Sequence, residues 1–136
     1  MPADALEVVR TFIAAVNRRS VDDLSALMAD DHTFVDSQGH ALAGREQMMS
    51  AWQAYFAMFP DYEIRVDSIL ADGDRIAIFG EAFGTFKGKR GAVPENRIVM
   101  PAAWNARVKD GRVGFWQVYA DWTEGMKIIE RENQEG

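Results

Sequence analysis

The segment spanning residues 98–121, IVMPAAWNARVKDGRVGFWQVYAD, reads as two long strands and the turn between them. Ile98–Lys109 is one strand, Asp110-Gly111 supplies the hairpin turn, and Arg112–Asp121 is the second strand. Moving towards the N-terminus, a polar loop occupies 87–97 and a long strand covers Arg75–Phe86. Gly80, Gly84 and, at its end, Gly88 predict bends or bulges in that strand. Asp72-Gly73 marks a tight turn behind Tyr62–Ala71, where Ile64 and Val66 alternate with Glu63, Arg65 and Asp67. The C-terminal half is therefore four strands joined largely by hairpins.

The N-terminal half is helical. Asp4 is placed to cap a helix over 4–18, in which Leu6, Val9, Ile13 and Val16 recur at helical spacing. Ser20 opens a short helix carrying Val21, Leu24, Leu27 and Met28. His32–Asp36 reads as a short strand with His32, Phe34 and Asp36 on one face, and Ser37–Gly44 as a loop. Arg45–Phe59 is a third helix whose buried face is broad and aromatic, and Pro60 stops it. A last helix starts near Trp122 or Thr123, and the polar stretch Glu130–Gly136 is expected to fray. Helices followed by an antiparallel run predict an α+β domain, with the helices packed on a curved antiparallel sheet. Long bent strands around one aromatic helix make a half-open cone, whose inside is a pocket.

The 136 residues fit a single domain over 1–136, long enough to bury a core without metal or disulfide support. There is no cysteine, which removes disulfides, thiolate metal sites and cysteine nucleophiles and fits a reducing, cytoplasmic setting. The start of the chain lacks a basic region followed by an apolar run, so no signal peptide is expected. No apolar run approaches the roughly 20 residues that span a bilayer, so no membrane partner is expected. The net charge of −6 argues against nucleic acid, which needs a basic face. The one basic cluster, Lys87, Lys89, Arg90 and Arg97, reads as a solvated loop, with contact to an anionic substrate tail as the alternative. Gly80 and Gly84 lie within a strand, so they form no phosphate loop, and no Gly-x-Ser-x-Gly elbow exists.

Several motifs stand in a telling order: Phe12-Ile13-Ala14-Ala15-Val16-Asn17, then the short helix to Met28, then Asp30-Asp31-His32-Thr33-Phe34-Val35-Asp36. Ala43-Gly44-Arg45-Glu46, Phe59-Pro60-Asp61, Asp110-Gly111-Arg112-Val113 and Tyr119-Ala120-Asp121 follow. Together they resemble the nuclear transport factor 2-like superfamily, in its SnoaL-like branch of polyketide cyclases and ketosteroid isomerase-like proteins, over nearly the whole chain. The resemblance implies a cystatin-like, cone-shaped α+β barrel, a hydrophobic small-molecule partner and a homodimer formed through the outer sheet face. The same fold hosts isomerases, cyclases, hydrolases, dehydratases and non-catalytic binders.

By position, Asp36 resembles the general base of the ketosteroid isomerases. Read from the residues alone, it is equally a carboxylate capping the loop at Ser37. Asp121 resembles the acid/base carboxylate of the SnoaL-like cyclases, or else it caps the last helix. Two carboxylates in one cavity would divide into an acid and a base. The isomerases' oxyanion donors do not carry over: the helix-one tyrosine falls on Phe12 and the later aspartate near Ala102 or Ala103. The Asp-Arg-Asp relay of limonene epoxide hydrolases would need Arg65 or Arg107, whose strand parity points outward.

His32 is either an auxiliary proton carrier or a satisfied partner at the cavity edge, and His40 is a loop residue. Two histidines and scattered carboxylates make no metal site. Tyr55, Phe56, Phe59, Met100 and Trp104 are the expected substrate-binding or core aromatic and thioether side chains. Gln117 and Tyr119 share strand parity with Asp121 and are expected to form one inward polar patch with it. Glu81, between Phe79 and Phe83, lies either in the pocket or on a dimer face. The expectation is an enzyme free of cofactor and metal that transfers protons on a hydrophobic small molecule, with Asp36, Asp121 and His32 as its catalytic groups. The rivals are a non-catalytic ligand-binding module, an epoxide hydrolase-like enzyme or hydratase using carboxylate-activated water, and an accessory domain whose sheet makes a dimer.

Overall fold

A computed structural model of the chain describes residues 4–134. Its elements run α1 Ala5–Asn17, α2 Val21–Leu27, β1 Met28–Val35, β2 Ala41–Ala43, α3 Arg45–Met58, β3 Glu63–Asp72 and β4 Arg75–Thr85. A 3-10 turn at Pro94–Asn96, β5 Arg97–Lys109, β6 Arg112–Ala120 and α4 Thr123–Gln134 complete the chain. One six-stranded sheet has the order β2-β1-β6-β5-β4-β3. It curves without closing, so the barrel is an open cone.

Local chemistry sets the first two helices. The Asp4 carboxylate accepts from Glu7 N–H at 2.8 Å, and the Ser20 hydroxyl accepts from Asp23 N–H at 3.2 Å. Such caps contribute about 0.5–2 kcal/mol each. α1 buries Val9, Phe12 and Val16 completely against the sheet. At its end, the Asn17 side chain donates to Ile64 O at 3.0 Å and accepts from Ile64 N at 2.8 Å, which satisfies part of the edge strand β3. After α3, the Asp61 carboxylate accepts from the Thr85 amide (2.6 Å) and hydroxyl (2.8 Å), locking the turn onto the end of β4.

Five features differ from the sequence expectation. β1 begins at Met28, four residues ahead of the expected His32, so Met28 and Asp30-Asp31 belong to the sheet and not to the second helix or its end. The stretch expected as a loop from Ser37 contains β2, which pairs antiparallel with β1. Three residues are too few for alternation to be readable. The sheet is not wholly antiparallel, because β1 runs parallel to β6. No hairpin links these two strands, so turn chemistry did not constrain their direction. The alternation of β3 breaks at a bulge between Val66 and Ser68, opposite Gly80. A Cβ on Gly80 would stand 1.9 Å from Arg65 O, so glycine is what lets the bulge close on β4 and bend the sheet. Finally, residues 130–134 do not fray. α4 continues to Gln134 because Glu132, its side chain 1% exposed, is held by Arg90 and Asn96; residues 135 and 136 lie outside the described residues.

Candidate functional site

The cavity lies at the open end of the cone and measures about 350 Å³. Each wall follows from an element already described. α3 contributes Met48, Trp52, Tyr55 and Met58, because its apolar residues recur at three- and four-residue spacing towards the sheet. Phe59 and Tyr62 continue that wall, and Phe59 packs over Gly84, where a Cβ would sit only 3.4 Å from its ring. The floor is the inner face of the sheet: Ala82 on β4, Met100 and Trp104 on β5, and Trp116, Val118 and Ala120 on β6. Phe34 and Asp36 close one side, from the end of β1, and Phe34 lies in register with Trp116. Trp122, Met126 and Ile129 form a roof carried by α4.

Asp36 is the one carboxylate among the described residues lining this cavity. Its Oδ1 accepts from the backbone N–H of Gln38 at 3.0 Å and of His40 at 2.9 Å, and Oδ2 lies 3.3 Å from His40 Nδ1. The β1–β2 hairpin thus orients the carboxylate: Asp36 caps its loop, as one of its two readings has it, and it also borders the pocket. Burial pushes the hydroxyls of Tyr55 and Tyr62 well above the ordinary tyrosine range. Both remain protonated donors at physiological pH. Trp52 Nε1 and Ser37 Oγ are buried without a protein partner, and both residues border the cavity.

The other expected site residues lie elsewhere. Asp121 is exposed and absent from the cavity wall. Its Oδ1 accepts from Thr123 Oγ1 (2.6 Å) and N–H (2.9 Å), which cap α4 and hold the carboxyl below the usual carboxylate range. Gln117 and Tyr119 point to the outer face, because Trp116, Val118 and Ala120 take the inward positions of β6. Phe56 stacks on Trp52 at 5.2 Å and is not part of the wall.

His32 is fully buried behind the cavity, beside Phe12. Its Nδ1 donates to Val113 O at 2.7 Å, which leaves Nε2 as an unprotonated, unpartnered nitrogen. Burial lowers its pKa, so the ring is neutral. His32 ties β1 to β6 where their register shifts between Met28 and Thr33. Glu81 faces outward and pairs with Arg65 at 2.6 Å, and Arg107 stacks over Phe115 on the same outer side. Neither arginine lines the cavity, and of the expected basic loop Arg90 binds Glu132 while Arg97 covers Phe83. Among the described residues, no three histidine or carboxylate side chains converge into a metal-ligand set.

Sequence reasoning missed Tyr62, Trp116, Trp122 and the α4 roof as parts of the site. The shared strand face of Phe34 and Asp36 was a usable signal for β1. Nothing local marked α4 as a roof, since its stripe of Trp122, Met126 and Ile129 depends on where the helix docks.

A curved, unclosed sheet wrapped by helices around a cavity is the ketosteroid isomerase-like, or nuclear transport factor 2-like, class of fold. The chain belongs to the SnoaL-like domain family, whose sequence pattern matches residues 9–115. Solved structures agree on the fold. A proposed polyketide cyclase from Xanthomonas campestris pv. campestris superposes with a TM-score of 0.80 at 22% identity, over 92% of this chain and 96% of that one. An epoxide hydrolase from M. tuberculosis, described as LEH-like, gives 0.77 at 18% identity over 98% and 94%. A protein of ketosteroid isomerase-like fold from Catenulispora acidiphila, in complex with trimethylamine, gives 0.76 at 23% identity over 93% and 92%. No curated protein sequence matches the chain.

Proposed function

We propose that the chain binds an apolar, ring-bearing small molecule in the cone and moves a proton on it through Asp36. The observation that carries this reading is a single oriented carboxylate bordering an otherwise aromatic and aliphatic cavity. In the proposed step, Asp36 takes a proton from a carbon next to a carbonyl. A neutral tyrosine hydroxyl, Tyr55 or Tyr62, donates a hydrogen bond to the developing enolate oxygen. Protonated Asp36 then returns the proton to a second carbon, or to the oxygen formed on ring closure. General base catalysis of this kind is worth roughly 10²–10⁴ in rate, and an oxyanion donor about 10²–10³. The similarity to a proposed polyketide cyclase supports a carbonyl-bearing ring system as the substrate class.

A panel of polycyclic ketones and phenols, read by thermal shift and by turnover, tests the proposal. A ligand that binds only the folded state raises its melting temperature. A compound turned over by wild type and bound without turnover by Asp36→Asn supports proton transfer. Equal turnover by the variant sinks it. Binding without turnover by either protein supports a non-catalytic module instead, a reading favoured by the absence of Asp121 from the wall.

We also propose that the outer sheet face pairs with a second copy of the chain. Phe79, Ala103 and Tyr119 lie in one cross-strand row. Phe79 (45%), Val99 (50%) and Tyr119 (51%) are unusually exposed for apolar or aromatic strand residues. The charged pair Arg65–Glu81 flanks them. Light scattering at micromolar concentration should give a dimer, reduced to a monomer by Phe79→Asp; a monomeric wild type removes the proposal.

A further inference from the structure

The charge of the cavity wall constrains the ligand beyond its shape. Among the described residues lining the cavity there is no lysine or arginine, and Asp36 is the one formal charge. None of the basic loop residues Lys87, Lys89, Arg90 and Arg97 lines the cavity; Arg90 binds Glu132 at 2.7 Å, and Arg97 lies 5.2 Å from the centre of the Phe83 ring. An anion entering the cone would meet a carboxylate and no counter-charge, within a chain of net charge −6.

A cation meets the opposite environment. The wall carries Trp52, Trp104, Trp116 and Trp122 together with Tyr55 and Phe59. The rings stand at steep mutual angles, 83° between Trp52 and Tyr55 and 58° between Phe59 and Trp122. The wall thus presents more than one ring orientation, and a ring face turned to the cavity, with its negative quadrupole, attracts an ammonium group. The neutral tyrosines add no positive charge. Among the described residues, the basic side chain paired with Asp36 is the mostly exposed imidazole of His40.

We propose that the ligand is a protonated amine on an apolar ring body. The ammonium group pairs with Asp36, and the body lies among Trp52, Trp104 and Trp122. This rests only on the reading that the cone is the ligand site: with Asp36 as the counter-ion of the ammonium its role is binding, an alternative to the proton transfer proposed above, and the test separates the two. Three probes share one body and differ in charge: 2-naphthylmethylammonium, 2-naphthylmethanol and 2-naphthoate. Binding is measured by calorimetry on the full chain, wild type and Asp36→Asn. The substitution keeps a side-chain oxygen to accept from Gln38 and His40, so the hairpin remains.

The expected result is that the ammonium probe binds wild type about tenfold more tightly than the alcohol, and that naphthoate binds most weakly. In Asp36→Asn the ammonium and the alcohol should converge to within about threefold, with the alcohol unchanged. The proposal is overturned if naphthoate equals or exceeds the ammonium probe, or if the variant keeps the full ammonium preference. If the alcohol binds without any advantage for the ammonium, the cone remains the ligand site and only the charge proposal falls. If no probe binds to either folded protein, the cone reading falls and takes this proposal with it.

Discussion

Glu132 and Arg90, 42 residues apart in sequence, meet at 2.7 Å with the glutamate side chain 1% exposed. Asn96 donates to the other carboxylate oxygen at 3.0 Å, and Gly88 leaves the room, since a Cβ there would stand 2.4 Å from Glu132 Oε1. This contact fixes the helix whose Trp122, Met126 and Ile129 roof the cavity. The Arg90 hydrogen bond, then that of Asn96, holds the Glu132 carboxyl below its ordinary value near 4.5. A depressed acid stabilises the fold above its unfolded-state pKa, and the contribution is lost as pH falls from there towards the folded value. The Glu132 contribution to the melting temperature should therefore be steady above about pH 5 and be lost below it. Glu132→Gln should melt lower near neutrality and show a flatter acid limb, measured by circular dichroism across pH. An unchanged acid limb would remove the contact's role.

The bulge opposite Gly80 gives a second expectation. Gly80→Ala drives a methyl group into Arg65 O and should cost at least about 2 kcal/mol in urea unfolding. Gly114→Ala, whose Cβ would have nothing nearer than 3.6 Å, is the control and should stay within about 0.5 kcal/mol. Equal effects at the two positions would contradict the role given to Gly80.

His32 predicts a separate pH window. Burial lowers its pKa from the ordinary 6.5. The unfolded chain then binds the proton more readily, so stability rises with pH between the folded and unfolded values. Wild type should lose stability as pH falls below about 6.5, well before the Glu132 window opens. His32→Asn should be less stable at pH 7.5 but lack that loss. A slope that survives the substitution would assign it to other groups.

The two carboxylates of the original pairing should separate cleanly. Asp36→Asn should reduce turnover of any accepted substrate by roughly 10²–10⁴. Asp121→Asn should leave turnover within about twofold of wild type, because Asp121 caps α4 on the surface. Steady-state kinetics on both variants decides this, and a comparable loss in Asp121→Asn would return it to the site.

The order and type of the elements were legible because they rest on local signals. Asp4, Ser20, Pro60 and the turns Asp72-Gly73 and Asp110-Gly111 act within a few residues of themselves. Helical and strand periodicity then separates α1 and α3 from β3 to β6. The glycines of β4 announced an irregularity, and Gly80 lies opposite one. β2 escaped because three residues carry no period.

The sequence by itself determined an α+β chain of helices and antiparallel strands, with Asp36 on the strand face of Phe34 beside an aromatic helix. Only the tertiary structure decided which side of β6 faces the cavity. Alternation fixes which residues share a face, and both faces of β6 carry large aromatic side chains, Phe115 and Tyr119 on one and Trp116 on the other. The sign of the face is set by neighbouring strands and by the helices that cover one side. The same holds for Asp121, which turned to its own helix, and for Glu132, whose partners lie 36 and 42 residues away. Contacts across such separations leave no local pattern, since they depend on how the elements pack.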